Sequence, residues 1–171
     1  MGAFVVAFVL GTGLAGCISD LRTRRIPNTL TFGSALAALA IHAATAGPWG
    51  FVASLGGWLT GVAIFFPPYA LGGMGAGDVK LLAALGAWLG PHETVWLALY
   101  TALAGGVLAV VVGLARGYLR QALRNIWLLL MHWRVFGPRP LREVSLEGSS
   151  GPRLAYGVAI FIGTVGTLWF R

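Results

Sequence analysis

Long apolar runs joined by short, mostly basic connections leave this chain few folds to choose from. Residues 3–19, 28–46, 49–66, 79–89, 94–115 and 154–170 make six such runs in a sequence of 171 residues. A helix crossing the hydrocarbon core of a bilayer, about 30 Å thick, needs about 20 apolar residues, because without water every backbone polar group must be bonded internally. Charged residues are only 10% of the chain and hydrophobic ones 57%, with a mean hydropathy of +0.81; soluble domains carry roughly 25% charge. The expected fold is all-α: a polytopic membrane helix bundle of about six transmembrane helices, forming one domain over residues 1–171. Its abundant Gly and Ala allow close contact between helices.

The net charge of +7 raises nucleic acid as a partner. Most basic residues, however, are arginines between apolar runs, without the aromatic and basic interleaving of a binding face, so no nucleic acid is expected. They read instead as a topology signal, because short cytoplasmic loops are rich in Lys and Arg. If the connection after the first run is cytoplasmic, so are Arg22, Arg24, Arg25, Lys80, Arg116, Arg120, Arg124, Arg134, Arg139, Arg142 and Arg153. Only Arg171 of the twelve basic residues then lies outside. Both termini are external in this arrangement, and the two aspartates, Asp20 and Asp78, share the cytoplasmic face.

Cys17 is the one cysteine, which excludes an internal disulfide and a multi-cysteine zinc site. Leu14-Ala15-Gly16-Cys17 imitates a lipoprotein signal, but no Lys or Arg precedes the apolar run and three arginines follow it, so a membrane-buried thiol is expected. His42, His92 and His132 are dispersed without metal-ligand spacing, and neither metal nor cofactor is expected. Ser34 and His42 are eight residues apart, about 12 Å along a helix axis, too far for a nucleophile and its base.

Two stretches break the pattern. The run 79–89 covers only about 17 Å as a helix. Either it extends past Pro91, or its start is recessed, with 67–77 dipping inward as irregular backbone; the recessed loop is the expectation, giving Asp78 a sheltered, wet pocket. The second stretch is a cytoplasmic insertion at about 116–153. Leu119, Ala122, Leu123, Ile126, Leu130 and Trp133 recur there at helical spacing, opposite Arg120, Gln121, Arg124, Asn125 and His132. An amphipathic helix in the headgroup region follows, and then a flexible loop over 137–152.

Carboxylates are scarce: five acidic side chains serve the whole chain, and an ionisable group at membrane depth is costly and commonly functional. Asp20 opens the stretch Asp20-Leu21-Arg22-Thr23-Arg24-Arg25-Ile26-Pro27-Asn28, where Pro27 restricts the turn and Asn28 can cap the next helix. By itself this reads first as an ordinary basic hairpin loop in which Asp20 pairs with an arginine. Asp78 lies in Gly73-Met74-Gly75-Ala76-Gly77-Asp78-Val79-Lys80-Leu81, where Gly75 and Gly77 permit unusual backbone angles and close approach to the carboxylate. Taken alone it also fits a glycine hinge with a capping aspartate, and a phosphate loop is excluded by the absent strand and Walker spacing. Together on one face, two carboxylates can hydrolyse a peptide bond: one, ionised, takes a proton from water, and the other, protonated, polarises the carbonyl.

These residues resemble the type IV prepilin peptidases, GxGD aspartyl proteases of the membrane. Gly75-Ala76-Gly77-Asp78 with Val79-Lys80-Leu81 is similar to their GxGD-x-K-L motif, and Asp20 through Ile26-Pro27-Asn28 to their first aspartate motif. Tyr156-Gly157 is similar to their Pro-Tyr-Gly element, with Ala155 in place of the proline. The resemblance implies Asp20 and Asp78 as the catalytic pair. It implies prepilin or pseudopilin substrates, cut at the cytoplasmic face of a bacterial inner membrane after a short basic leader, with pilus assembly proteins as possible partners. A single cysteine cannot supply the paired CxxC motifs of longer members, which points to the short stand-alone type of Flp (Tad) pili; an archaeal preflagellin peptidase would share the chemistry. Presenilin-like relatives carry their other aspartate after tyrosine, whereas Ser19 precedes Asp20 here.

Helix-end electrostatics favour Asp78, at the start of its run, as the ionised base and Asp20, at the end of the first, as the proton donor. Lys80 and the arginines after Asp20 are explained by topology, with substrate or headgroup contact as a second role. The competing readings are a proton-coupled transporter, whose site would lie near the midplane between repeats, and a noncatalytic pilus assembly component, which would need neither aspartate.

Overall fold

The computed structural model describes residues 2–117, 119–137 and 155–170. All regular structure among them is helical: α1 (Ala3–Thr23), α2 (Asn28–Ala70), α3 (Ala76–Leu89), α4 (Pro91–Ala115), α5 (Leu119–Phe136) and α6 (Tyr156–Trp169). Three of these, α1, α2 and α4, are long and apolar enough to cross a membrane.

At 43 residues α2 is about twice the length a bilayer needs, and it is two arms. Gly47 has non-helical angles (φ 63°, ψ −151°), a left-handed φ that glycine accepts without a Cβ clash, and Pro48 follows it without an N–H to donate. The bend is sharp: a Cβ on Gly50 would collide with the His42 carbonyl, although a straight helix would hold these residues about 12 Å apart. The arms then run in opposite directions along α3. In the first, Asn28 bonds Lys80 and Ser34 bonds Trp88; in the second, Gly61 abuts Ala83 and the Ser54 hydroxyl donates to the Ala87 carbonyl at 2.8 Å.

That hairpin explains why α3 is the core. Every residue from Leu81 to Leu89 is buried, as expected of a helix apolar all round and covered on every side. Gly57 and Gly61 form a GxxxG pair on the second arm. A Cβ on Gly61 would lie 2.7 Å from Ala83 Cα, and one on Gly57 would collide with the Gly86 carbonyl, so the backbones touch where small residues permit it. On the other sides, α6 packs against α4 and α1, with Gly163 against Thr101 and Gly13 against Phe161 and Thr164.

Several boundaries differ from those the sequence suggests. The second arm of α2 continues through Pro67 and Pro68 to Ala70, so the irregular backbone expected over 67–77 shrinks to 71–75. Both prolines fall within the last turn, where each lacks the N–H that would bond the carbonyl four residues earlier, and the helix ends at Ala70. Neither Gly75 nor Gly77 has a positive φ; in that connection only Gly72 does (φ 77°). The helix α3 starts at Ala76 rather than Val79 and stops before Gly90 (φ 83°), so it does not extend past Pro91, which is the first residue of α4. Its 14 residues span about 21 Å.

The expected amphipathic helix exists as α5, with Leu123, Ile126 and Trp127 exposed. The side chains of Ala122, Leu130 and Trp133, the loop expected over 138–152, and Arg139, Arg142, Arg153, Leu154 and Arg171 lie outside the described residues.

Candidate active site

Asp20 occupies the last turn of α1 and Asp78 the first turn of α3. Fifty-eight positions apart in sequence, they line one cleft of about 310 Å³, with Arg24, Arg25, Ile26, Asn28 and Lys80 around its wall. Both are buried, at 8% and 9% exposure, and Asp78 lies within reach of the charge on Asp20.

Each carboxylate is held by a backbone amide from a glycine. Gly75, the N-cap of α3, donates its N–H to Asp78 Oδ2 at 3.2 Å while its carbonyl accepts the Asp78 N–H at 3.2 Å. This reciprocal arrangement is half of a capping box, with Asp at the third helical position turned back onto the cap. Gly157, in the first turn of α6, donates to Asp20 Oδ2 at 2.9 Å. Any Cβ there would lie 2.9 Å from Asp20 Cβ and 3.1 Å from Oδ2, so only glycine lets α6 come this close. The third sequence element therefore holds the first aspartate from 137 residues away.

The loop after Asp20 is tied back on itself. Arg24 is left-handed (φ 54°) and caps α1 by donating its N–H to the Asp20 carbonyl at 3.0 Å. Ser19 and Thr23, one helical turn apart, both donate hydroxyls to the Arg25 carbonyl, at 2.8 Å and 3.0 Å. Ile26 then rests on α3 where Gly77 has no side chain; a Cβ on Gly77 would lie 3.2 Å from Ile26 Cβ. Gly77 thus serves approach rather than an unusual backbone angle. Sequence reasoning misses the roles of Ser19 and Thr23, although two hydroxyls at i and i+4 before a loop are a visible signal for such ties.

Asn28 does not cap α2. Pro27, in an extended conformation (φ −62°, ψ 136°), holds the cap position without a side-chain bond. Asn28 Oδ1 instead accepts from Lys80 Nζ at 3.0 Å, and that ammonium also sits 5.5 Å from the centre of the Phe32 ring. Asn28 thus joins the two aspartate motifs, a role invisible when the first motif is read alone. Tyr156 stands beside the site rather than in the cleft wall: its ring meets Phe65 at 6.1 Å and packs where Gly105 leaves room on α4. Ser34, far from any nucleophilic arrangement, shares its hydroxyl with Thr12 and Trp88.

Both carboxylates are buried, and each accepts one backbone amide hydrogen. The arrangement suits activation of one water against a polarised carbonyl.

Comparison with known proteins agrees with this geometry. The family model for the type IV leader peptidase family matches residues 5–110, a segment that contains Asp20, Asp78, all of α3 and all but the first two residues of α1. The chain is 33% identical over 122 residues to the prepilin leader peptidase/N-methyltransferase of Burkholderia pseudomallei strain 1026b, and equally to that of strain K96243. That alignment takes in 64% of this chain but 38% of each relative, so the chain spans well under half their length. No solved structure matches it significantly. With both aspartate motifs inside the matched segment and converging on one cleft, the chain belongs to the type IV leader peptidase family.

Proposed function

We propose that this protein is a membrane aspartyl endopeptidase that removes the leader peptide from type IV prepilins or pseudopilins, using Asp20, Asp78 and one water. The convergence of two carboxylates from distant helices on one cleft carries this reading. One carboxylate, ionised, takes a proton as water oxygen adds to the scissile carbonyl carbon. The other, protonated, gives its proton to the carbonyl oxygen. Collapse of the resulting gem-diol breaks the C–N bond as the proton from water passes to the departing amine and one diol hydroxyl returns its proton to the other carboxylate, so that the dyad is left with one proton again.

The single shared proton is what the mechanism needs. Helix ends favour Asp78 as its base and Asp20 as its donor.

The charge distribution supports a site open to the cytoplasm, with six spans: α1, the two arms of α2, α3, α4 and α6. In this arrangement α5 lies in the headgroup layer with Leu123, Ile126 and Trp127 toward the acyl chains. The membrane is the bacterial inner membrane, and the sequence resemblance points to Flp (Tad) prepilins as substrates and pilus assembly proteins as neighbours.

The test is leader removal from purified full-length prepilins of the same genome, with the enzyme in detergent or liposomes. Cleavage by the native protein and a loss of about 10²-fold or more in both Asp20→Asn and Asp78→Asn are expected. Full cleavage by either variant removes the dyad from the mechanism. Proton flux in liposomes without cleavage favours transport instead.

A further inference from the structure

Between Glu93 and Glu143 the sequence holds no acidic residue, and four of the six arginines in that stretch stand on α5 or at the end of α4 that leads to it. These four, Arg116, Arg120, Arg124 and Arg134, are all exposed, and among the described residues none of them forms an ion pair with a carboxylate. At about 100° of turn per residue, Arg120, Arg124 and Arg134 fall within an arc of about 80°, while Gln121, Asn125 and His132 gather in a separate arc of about 40°. The three guanidinium groups therefore edge one side of the apolar stripe that exposes Leu123 and Ile126, over a length of about 21 Å. Topology depends on how many positive charges a connection carries, and it does not require that alignment.

The preceding helix sets where α5 begins. α4 is long and apolar enough to cross a bilayer, and only three residues separate its last residue, Ala115, from Leu119. Gly117 turns the chain with a left-handed φ of 66°, and Leu119 comes back onto α4 at Gly113, where a Cβ would lie 3.5 Å from Leu119 Cδ1. A helix that starts at the bilayer edge with an apolar stripe and an arginine edge meets two layers at once, acyl chains on the stripe and headgroup phosphates on the edge. Guanidinium groups suit the second layer because their paired N–H donors match phosphate oxygens. A nucleic acid or an acidic protein surface would satisfy the arginines but leave Leu123, Ile126 and Trp127 in water.

We propose that α5 and the end of α4 form a binding site for anionic phospholipid, in which Arg116, Arg120, Arg124 and Arg134 hold headgroup phosphates while Leu123, Ile126 and Trp127 enter the acyl layer. This deepens the headgroup-layer placement of α5 given above and rests on it, but it does not depend on the peptidase chemistry. The lipid carries net negative charge, as phosphatidylglycerol does; in phosphatidylcholine an ammonium group offsets the same phosphate. Attraction of this kind favours binding about fivefold per arginine and weakens as salt shortens the Debye length.

The experiment reads lipid class and helix placement separately, on the full chain in liposomes that mix phosphatidylcholine with phosphatidylglycerol. Lipid retained by the detergent-extracted protein is counted by native mass spectrometry. In a Cys17→Ser background, Leu123→Cys carries an environment-sensitive fluorophore whose emission reports immersion. The expected results are an immersed fluorophore and retention of phosphatidylglycerol over phosphatidylcholine, with a preference that falls as ammonium acetate is raised. Arg116→Gln, Arg120→Gln, Arg124→Gln and Arg134→Gln made together are expected to lower that preference about tenfold or more, and the four Arg→Lys changes to keep more of it than the Gln set. All four side chains are exposed, so both sets of changes leave the packed helices untouched. Equal retention of the two lipids by native protein, or a preference that the Gln variant keeps in full, overturns the site; with the fluorophore immersed, the placement of α5 survives. A fluorophore left in water overturns that placement too and gives the apolar stripe to a protein partner.

Discussion

Asp20 and Asp78 each accept an amide from a glycine, and the two glycines differ in how much room they leave. A Cβ on Gly157 would lie 2.9 Å from Asp20 Cβ, whereas one on Gly75 would approach nothing nearer than Asp78 Oδ2 at 3.2 Å. Gly157→Ala must therefore move Asp20 or the start of α6, while Gly75→Ala needs an adjustment of a few tenths of an ångström. Steady-state cleavage is expected to show kcat reduced about tenfold or more in Gly157→Ala, since small misplacements of reacting groups are costly, and clearly less in Gly75→Ala. An equal effect would remove the positioning role from Gly157. The proposed dyad mechanism makes a second prediction at this scale. That mechanism needs one proton on the pair, so activity through it falls at low pH as both carboxyls protonate and at high pH as both ionise. A kcat/KM profile with two limbs is the expected result, and a profile rising to a plateau at high pH would mean that no protonated carboxyl is required.

Among elements, α3 decides the fold because it is the one helix touched on every side. Its contact with the second arm of α2 depends on Gly57 and Gly61 lying against Gly86 and Ala83. Gly61→Ala puts a methyl group 2.7 Å from the Ala83 backbone, where no flexible side chain can yield. Overpacking of this kind costs about 1–3 kcal/mol, and a lowered thermal midpoint in detergent is expected to report it. Gly33, with open space around its Cβ position, is the matching site where Ala is expected to leave the midpoint unchanged.

For the whole molecule, the arginine distribution and the position of the cleft make one joint prediction about sidedness. In a Cys17→Ser background, Arg24→Cys is expected to react with a membrane-impermeant maleimide only after cells are opened, because exposed Arg24 borders the cleft that the proposed topology turns toward the cytoplasm. Labelling in intact cells would invert the topology and place the dyad outside.

Much of this protein is legible without coordinates, and the reason is the bilayer. A solvent that cannot bond the backbone leaves helices as the natural reading of apolar runs, so the all-helical fold, the break near Gly47-Pro48 and the amphipathic α5 follow from residue pattern alone. The two aspartates are equally visible, since carboxylates are rare in such surroundings and their neighbours carry a recognisable motif. What pattern cannot supply is contact between distant segments. That Asn28 serves Lys80 rather than its own helix, that Ser19 and Thr23 tie down the loop at Arg25, and that Gly157 holds Asp20 all depend on which helix faces are brought together. Helical periodicity is a local property that one sequence window contains, whereas the close approach that turns a glycine into a support for a carboxylate exists only once the arms of α2 and the start of α6 have packed around α3.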